Sequence, residues 1–417
     1  MTDKVRLGII GCGGIARNRH ITGLTALKRA GLDNFEVTAC CDVVDDNVQA
    51  VAAHAREHQG ANPQIYHDWE ELICKAPVDA VDICLPHGMH HVVGISCLEA
   101  GLDVLMEKPY TVSLKTGRAL AEAADRAGKI LATAVPHRRM PGQRAVHWAL
   151  NDAKLIGQVR TFFQNYTQWR PQVAPAQLSP AMKWRYDRVM GGGAGVIDSG
   201  FHFLDTIRYF YGEPETVYAE VRAYRDDEPP VARDGIADER ENTVMSLFTF
   251  KSGVIGTWCW SFAVAGKETR DCVISGSEGS IEDTNYSNRY VVYHQFMGGG
   301  ELRRRDGTYL SMEELQAKHR QAIGPDGVQR LFPNGITDHF AIEIWDFLDA
   351  VQNNRKPEVD GWDGLATLAL VEAIYESSWS GRAIRIADVL SGEAPTSWQQ
   401  EIDAYWDAHQ PPRLTRG

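Results

Sequence analysis

Three residues of this chain have the types and surroundings for chemistry on a hydroxyl group: Lys108, Asp198 and His202. Lys108 ends the apolar run LDVLMEK and precedes Pro109, which biases it towards an extended backbone. Doubly wound sheets bind their ligands at the carboxyl ends of their strands, although a lone Glu-Lys-Pro reads equally well as an exposed turn. Asp198 and His202 stand four residues apart in GAGVIDSGFHFLDTIRYF, so if that stretch is helical they share a face. A carboxylate beside an imidazole suits orienting a hydroxyl and removing its proton at neutral pH. The plainer alternative has Asp198 capping a helix and His202 packed in a core. Gly191, Gly192, Gly193 and Gly195 favour the functional reading. Glycine in or beside a helix costs roughly 1 kcal/mol against alanine, and close approach of backbone to a ligand would account for that cost. Asp205 either extends the polar face or sits at the surface.

A second constellation opens the chain. Gly11-Cys12-Gly13-Gly14-Ile15-Ala16 follows the run VRLGII and starts a helical pattern, the context in which G-x-G-x-x-G/A cradles a dinucleotide. Gly11 permits the tight turn, Gly13 lets backbone approach a pyrophosphate, and Ala16 allows close helix-to-strand packing. The helix start, through Gly14 and Ile15, then offers N–H groups to the anion. The next apolar run ends in Asp42, where a carboxylate can accept the ribose hydroxyls. Val43 and Val44 follow, with no adjacent arginine for a 2′-phosphate, which favours NAD over NADP.

The elements that must position these residues follow from periodicity. Val5 to Ala134 alternates apolar runs (VRLGII, FEVTACC, VDAVDICL, LDVLMEK, KILATAV) with helical patterns over 14–30, 45–58, 91–100 and 114–127. That alternation predicts a doubly wound parallel sheet. After Pro136, a helix over 143–153 leads to strands at 159–166, 216–224, 242–250, 253–262, 271–275 and 290–296. Consecutive strands with a hairpin at Lys251-Ser252-Gly253 predict a largely antiparallel open sheet. Helices follow at 338–352 and 365–379, and the polar tail from Ser391 reads as a surface extension. The expected fold class is α/β plus α+β, in three parts: residues 1–140, 141–390 and 391–417.

Composition narrows the partners. With 43 Lys and Arg against 55 Asp and Glu, the formal charge of −12 disfavours nucleic acid or an anionic membrane as a partner. There is no signal-peptide pattern and no membrane-length apolar run, so a cytoplasmic protein is expected. The 8 cysteines form no C-x-x-C pair and sit in apolar runs, reading as buried thiols. His90 and His91 are adjacent, His54 and His58 lie on a surface-like helix, no carboxylate cluster joins them, and no metal is expected.

In this order the motifs GCGGIA, LPHGMHH, EKP, GGGAGVIDSGFHFLD and ALVEAIYESSWSGR resemble the glucose-fructose oxidoreductase, inositol dehydrogenase and MocA family over Arg6 to about Ile386. The resemblance implies that Pro86, His90 and Glu107 help to bind NAD, and that Lys108 contacts both the nicotinamide ribose and the reacting hydroxyl. It implies His202 as the general acid/base and Asp198 as the residue that positions the hydroxyl. His137 and Arg138 stand where the family often has an Asn-containing stretch; His137 is a candidate substrate contact, and Arg138 is either a substrate or cofactor contact or part of a structural ion pair. In the arm over 165–188, Tyr166, Trp169 and Trp184 could face a sugar ring while Lys183 and Arg185 bind its hydroxyls or an anionic substituent. The arm is otherwise a structural extension.

The leading expectation is a dehydrogenase of a sugar, glycoside or cyclitol. A glycosidase working through transient oxidation, elimination and re-reduction is the alternative, and a non-catalytic NAD-binding regulator a third. The open sheet face needs covering, so a homodimer or homotetramer is expected.

Overall fold

A computed structural model describes residues 4–171, 178–225, 240–284, 295–296, 299–394 and 397–416. Its first sheet contains β1 (Val5–Ile10), β2 (Phe35–Cys41), β3 (Gln64–Tyr66), β4 (Ala80–Ile83), β5 (Asp103–Glu107) and β6 (Leu131–Ala134). All pairings are parallel and the spatial order is β3-β2-β1-β4-β5-β6, the doubly wound dinucleotide-binding order. The five long apolar runs all become strands, whereas the three-residue β3 was too short for its period to show in the sequence. Local signals set the helices well. Leu114–Ala127 starts at Ser113, whose side chain accepts from the Thr116 N–H, and stops at left-handed Gly128.

The second sheet is built from β7 (Val159–Thr167), β8 (Thr216–Arg222), β9 (Thr243–Thr249), β10 (Ile255–Ser261), β11 (Thr269–Gly276), β12 (Gly279–Thr284), β13 (Glu301–Arg304), β14 (Tyr309–Ser311) and β15 (Ile384–Arg385). Its order is β14-β13-β12-β11-β7-β10-β9-β8-β15, antiparallel except for the β7–β10 pair. Side chains alternate as a half-buried sheet requires. Phe162, Phe248, Trp258 and Trp260 are buried on one face, and Phe163, Met245, Leu247 and Ile255 are exposed on the other. Ser377 and Ser378 hydroxyls accept the Ala219 and Val221 N–H groups of β8, satisfying donors that β15 is too short to reach. The strand expected over 290–296 falls mostly outside the described residues.

The chain divides differently from the three parts expected. One unit comprises Met1–Pro136, Val328–Ala366 and Ile402–Gly417, and the other His137–Gly327 and Thr367–Glu401. The helix His339–Asn353 joins the first unit because Ala341, Ile344, Phe347 and Leu348 enter the same core as Leu24 and Leu27. The tail after Ser391 is not a loose extension. The helix Gln400–Asp407 buries Ile402 and Trp406, four residues apart on one face. In the first unit Trp406 meets the His91 ring edge-on at 4.8 Å, and Asp403 accepts from the Ser113 hydroxyl at 2.6 Å. Two buried side chains in a short polar stretch give too weak a period to read from sequence. Among the described residues no helix is long and apolar enough to cross a membrane.

Candidate active site

In the first unit, β1 runs into the glycine loop with Gly11 at φ 91°, and a Cβ there would lie 2.4 Å from the Cys84 carbonyl oxygen. Only glycine fits. Gly13 and Gly14 have open space where a Cβ would project, while Ala16 is fully buried under the helix start. Asp42 lies just past β2. One carboxylate oxygen accepts the Cys12 N–H at 2.7 Å and the other the Val44 N–H at 2.8 Å, so the residue braces the loop. Val43 and Val44 beside it are exposed. These residues fit NAD: an open backbone cradle with a carboxylate where a 2′-phosphate would stand. Asp42→Ala is expected to weaken NAD binding about tenfold or more, because hydrogen bonds to a charged group contribute about 1.5–3 kcal/mol, and to reduce discrimination against NADP. Fluorescence titration with both dinucleotides checks this, and an unchanged preference would assign cofactor selection to other residues.

Lys108 directly follows β5, is half-buried, and is joined to Pro109 by a cis peptide bond. Its backbone N–H donates to Glu107 Oε2 at 2.7 Å, and Glu107 Oε1 lies 3.1 Å from His20 Nε2. Glu107 therefore braces Lys108 and is itself held by His20. The His90 ring spans the Leu85 and Pro109 carbonyl oxygens, each at 2.9 Å, and burial pushes its pKa down. His90 thus ties the segment after β4 to the segment after Lys108. Pro86 is half-buried, and its carbonyl accepts the Met89 N–H at the start of the helix Met89–Glu99.

In the second unit, the expectation that Asp198 and His202 sit on one helix is corrected. The helix is Gly200–Tyr211, and Asp198 belongs to the turn before it. The glycines have a packing cause. A Cβ on Gly193, at φ 151°, would lie 2.3 Å from the Tyr375 hydroxyl, one on Gly195 would meet Trp260 at 2.1 Å, and one on Gly200 would meet Trp258 at 2.6 Å. The close approach inferred from the glycines is to aromatic side chains of β10 and of the helix Gly361–Ser380. Glu241, which carried no sequence signal, clamps the same turn. Its carboxylate accepts the Ala194 N–H at 2.9 Å, the Val196 N–H at 3.0 Å and the Tyr375 hydroxyl at 2.7 Å. Burial raises its pKa, against the lowering effect of those bonds. Glu241→Ala leaves two N–H groups and a hydroxyl without their acceptor, each costing about 1–3 kcal/mol. A loss of about 3 kcal/mol or more in urea unfolding is expected; an unchanged midpoint would show that the clamp does not hold the turn.

His202 is buried, and its ring stacks on His137 at 4.0 Å between centroids and 15° between planes, which fixes the plane of its imidazole. Asp198 Oδ2 is 3.4 Å from Arg185 Nε, and the Arg185 guanidinium lies 4.2 Å over the Trp184 ring. The arm thus brings a predicted substrate cation onto a predicted catalytic carboxylate, a pairing with no trace in the spacing. Lys183 is exposed beside it. Other expected contacts go elsewhere. Arg138 Nε donates to the buried Asp205 carboxylate at 2.9 Å and its guanidinium lies over Tyr209, so the ion-pair alternative describes it and Asp205 is no surface residue. Tyr166 is buried beneath Arg270 and meets Phe262 edge-on, so it presents no open face to a sugar. Trp169 remains exposed, paired across a bridge to Ala263. Residues 172–177 of the arm lie outside the described residues.

The geometry thus supplies a dinucleotide cradle and a braced strand-end lysine in one unit, and in the other a carboxylate on a clamped turn followed by an imidazole in the first turn of the next helix. The chain is 26% identical over 393 residues to D-apiose dehydrogenase of Paraburkholderia graminis, covering 93% of this chain and 91% of that protein. It is 28% identical over 405 residues to D-glucoside 3-dehydrogenase of Escherichia coli, covering 92% and 98%. The structure is similar to the WlbA dehydrogenase from Bordetella pertussis in complex with NADH and UDP-GlcNAcA, with a TM-score of 0.70, 21% identity and coverage of 92% and 98%. Residues 5–135 match the oxidoreductase family with an NAD-binding Rossmann fold, and residues 148–282 match the GFO/IDH/MocA C-terminal domain. The chain therefore belongs to the glucose-fructose oxidoreductase, inositol dehydrogenase and MocA family of NAD-binding oxidoreductases.

Proposed function

We propose that this protein is a dehydrogenase that uses NAD to interconvert a secondary hydroxyl and a ketone on a sugar, glycoside or cyclitol. The observation that carries the reading is the open glycine cradle with Asp42 beside it, on the same unit as a lysine whose backbone is anchored at a strand end. NAD, when bound, supplies the hydride acceptor. The chain's own residues handle the proton and the charge. His202 removes the hydroxyl proton, Asp198 orients the hydroxyl with Arg185 beside it, and Lys108 stabilises the developing alkoxide. Trp169, Trp184 and Lys183 are proposed to contact the carbohydrate. The sugar and cyclitol dehydrogenases among the relatives support this substrate class.

The test is purified protein with NAD and a panel of monosaccharides, cyclitols and glycosides, following absorbance at 340 nm and sugar release. Net NADH without bond cleavage is expected. Aglycone release without net NADH would move the assignment to the redox-assisted glycosidase, and neither signal would sink it. We also propose that the exposed face carrying Phe163, Met245, Leu247 and Ile255 is covered by a second copy of the chain, giving a dimer or tetramer. Sedimentation of a monomer would exclude this. The eight cysteines are free thiols, six of them buried, which fits the proposed reducing, cytoplasmic setting.

A further inference from the structure

Beneath the dinucleotide loop lies a chain of buried ionisable groups that the proposed reaction does not use. His20 is on the π-helical turn Ala16–His20 directly after the loop, Asp82 on β4 and Glu107 at the end of β5. His20 Nδ1 is 2.8 Å from Asp82 Oδ2 and its Nε2 is 3.1 Å from Glu107 Oε1, with exposures of 0%, 0% and 5% for the three residues. The other Glu107 oxygen accepts the Lys108 N–H. An ionised carboxylate only accepts hydrogen bonds, so an imidazole between two carboxylates has a proton on each nitrogen and is a cation. Burial alone opposes that charge, but the attraction of the Asp82 carboxylate outweighs it and holds the His20 pKa well above its usual value.

We propose that His20, as an imidazolium bridging Asp82 and Glu107, is a positioning residue for Lys108. It locks the carboxylate that anchors the Lys108 amide, and so ties the helix following the dinucleotide loop to the strand end that presents the lysine. The proposal rests on the reading of Lys108 as a catalytic residue. Two features of the network support it. First, Asp82, His20 and Glu107 act in series, with the Cys84 thiol beside the first link at 3.6 Å from His20 Nδ1 and 3.5 Å from Asp82 Oδ1, and only Glu107 bonds the Lys108 N–H, so the loss of His20 is transmitted to the lysine through Glu107. Second, it has no contact with Gly13, Gly14 or Asp42 among its hydrogen bonds, so the lysine can be displaced while the cradle stays intact. His20 Nδ1, Asp82 and Cys84 also offer ligand atoms within 4.8 Å of one another, as a metal site would. Against a metal, the Nδ1 to Asp82 separation of 2.8 Å is a hydrogen-bond length, and burial raises the Cys84 thiol pKa, keeping it protonated.

The experiment compares His20→Phe, which keeps a ring and removes both donors, with His20→Gln, whose amide can still donate to Glu107. Misplacement of a reacting group by about 1 Å costs on the order of 10²-fold in rate. His20→Phe is therefore expected to lower kcat by about ten- to a hundredfold while leaving NAD dissociation nearly unchanged, and His20→Gln to recover part of the loss. A readout independent of turnover is the Lys108 signal in the NMR spectrum of protein with 13C-methylated lysines, assigned through Lys108→Arg. It should shift in His20→Phe, while that of Lys28, on the helix immediately after His20, should not. If the wild-type protein oxidises no carbohydrate the functional reading fails, and the Lys108 signal still decides the positioning role. An unmoved Lys108 signal with unchanged kcat would overturn the proposal. So would a stoichiometric metal in the isolated protein that is lost in His20→Phe. Should His20→Phe not fold, Asp82→Asn, which weakens the far link and leaves the His20–Glu107 bond in place, is expected to shift the same signal in the same direction by less, and no shift there would count equally against the proposal.

Discussion

Lys108→Met is expected to lower kcat by about 10²–10³-fold, the effect of removing one preorganised group that stabilises developing negative charge, while NAD binding and the melting temperature change little. Methionine keeps the apolar stem and loses only the ammonium. The backbone at this position is secured independently of the side chain, by the Glu107 acceptor and by pairing of β5 with β4 and β6 on either side. The loss should therefore appear in kcat and kcat/KM together, as it does when an interaction made in the transition state is removed. Steady-state kinetics with the substrate found in the panel, alongside an NAD titration, checks both halves. Unchanged turnover with intact NAD binding would remove Lys108 from the chemistry.

His202→Asn is expected to reduce turnover by about 10²–10⁴-fold, the range for loss of a general acid/base. It should also erase the pH dependence on the limb where the imidazole must be neutral to accept a proton. The substitution removes the stack with His137 but leaves the helix Gly200–Tyr211 its other packing, including the Thr206 hydroxyl bond to the His202 carbonyl at 3.0 Å. Some loss of stability is expected, so thermal melting accompanies the kinetics. The same variant separates an enzyme from an NAD-binding regulator. A regulator would keep its ligand response, whereas an enzyme loses the reaction.

The two halves of the candidate site differ in how much of them could be read from the chain. The dinucleotide cradle was legible because its parts are consecutive: a strand, a glycine turn and a helix start within one run, and Asp42 at the end of the next strand. The lysine end was half legible. Glu107 was visible as the neighbour of Lys108, but its anchoring by His20 and Asp82 links residues on three separate elements. In the second unit, Asp198 and His202 were found at four-residue spacing, and the helix expected to unite them starts only at Gly200. Spacing cannot distinguish a helical turn from a loop bent to the same reach by a remote carboxylate. The glycines were noticed for a sound energetic reason, and for two of them the structure supplies a packing cause that the spacing could not show. Gly193 approaches Tyr375 and Gly195 approaches Trp260, both far along the chain.

By itself the sequence determined the local elements and the order of motifs along the chain: strands from apolar runs, helices from caps and periodicity, and the cofactor loop from its glycines. These depend on interactions over a few residues, which leave a period or a motif. Only the tertiary structure decided that His20 lies between Asp82 and Glu107, that Glu241 holds the Asp198 turn, that Arg138 belongs to Asp205 and Arg185 to Asp198, and that the final helix is part of a core. Each is a contact between residues distant in sequence. Such a contact is stabilised by burial and hydrogen-bond satisfaction in three dimensions and imposes no repeat on the chain.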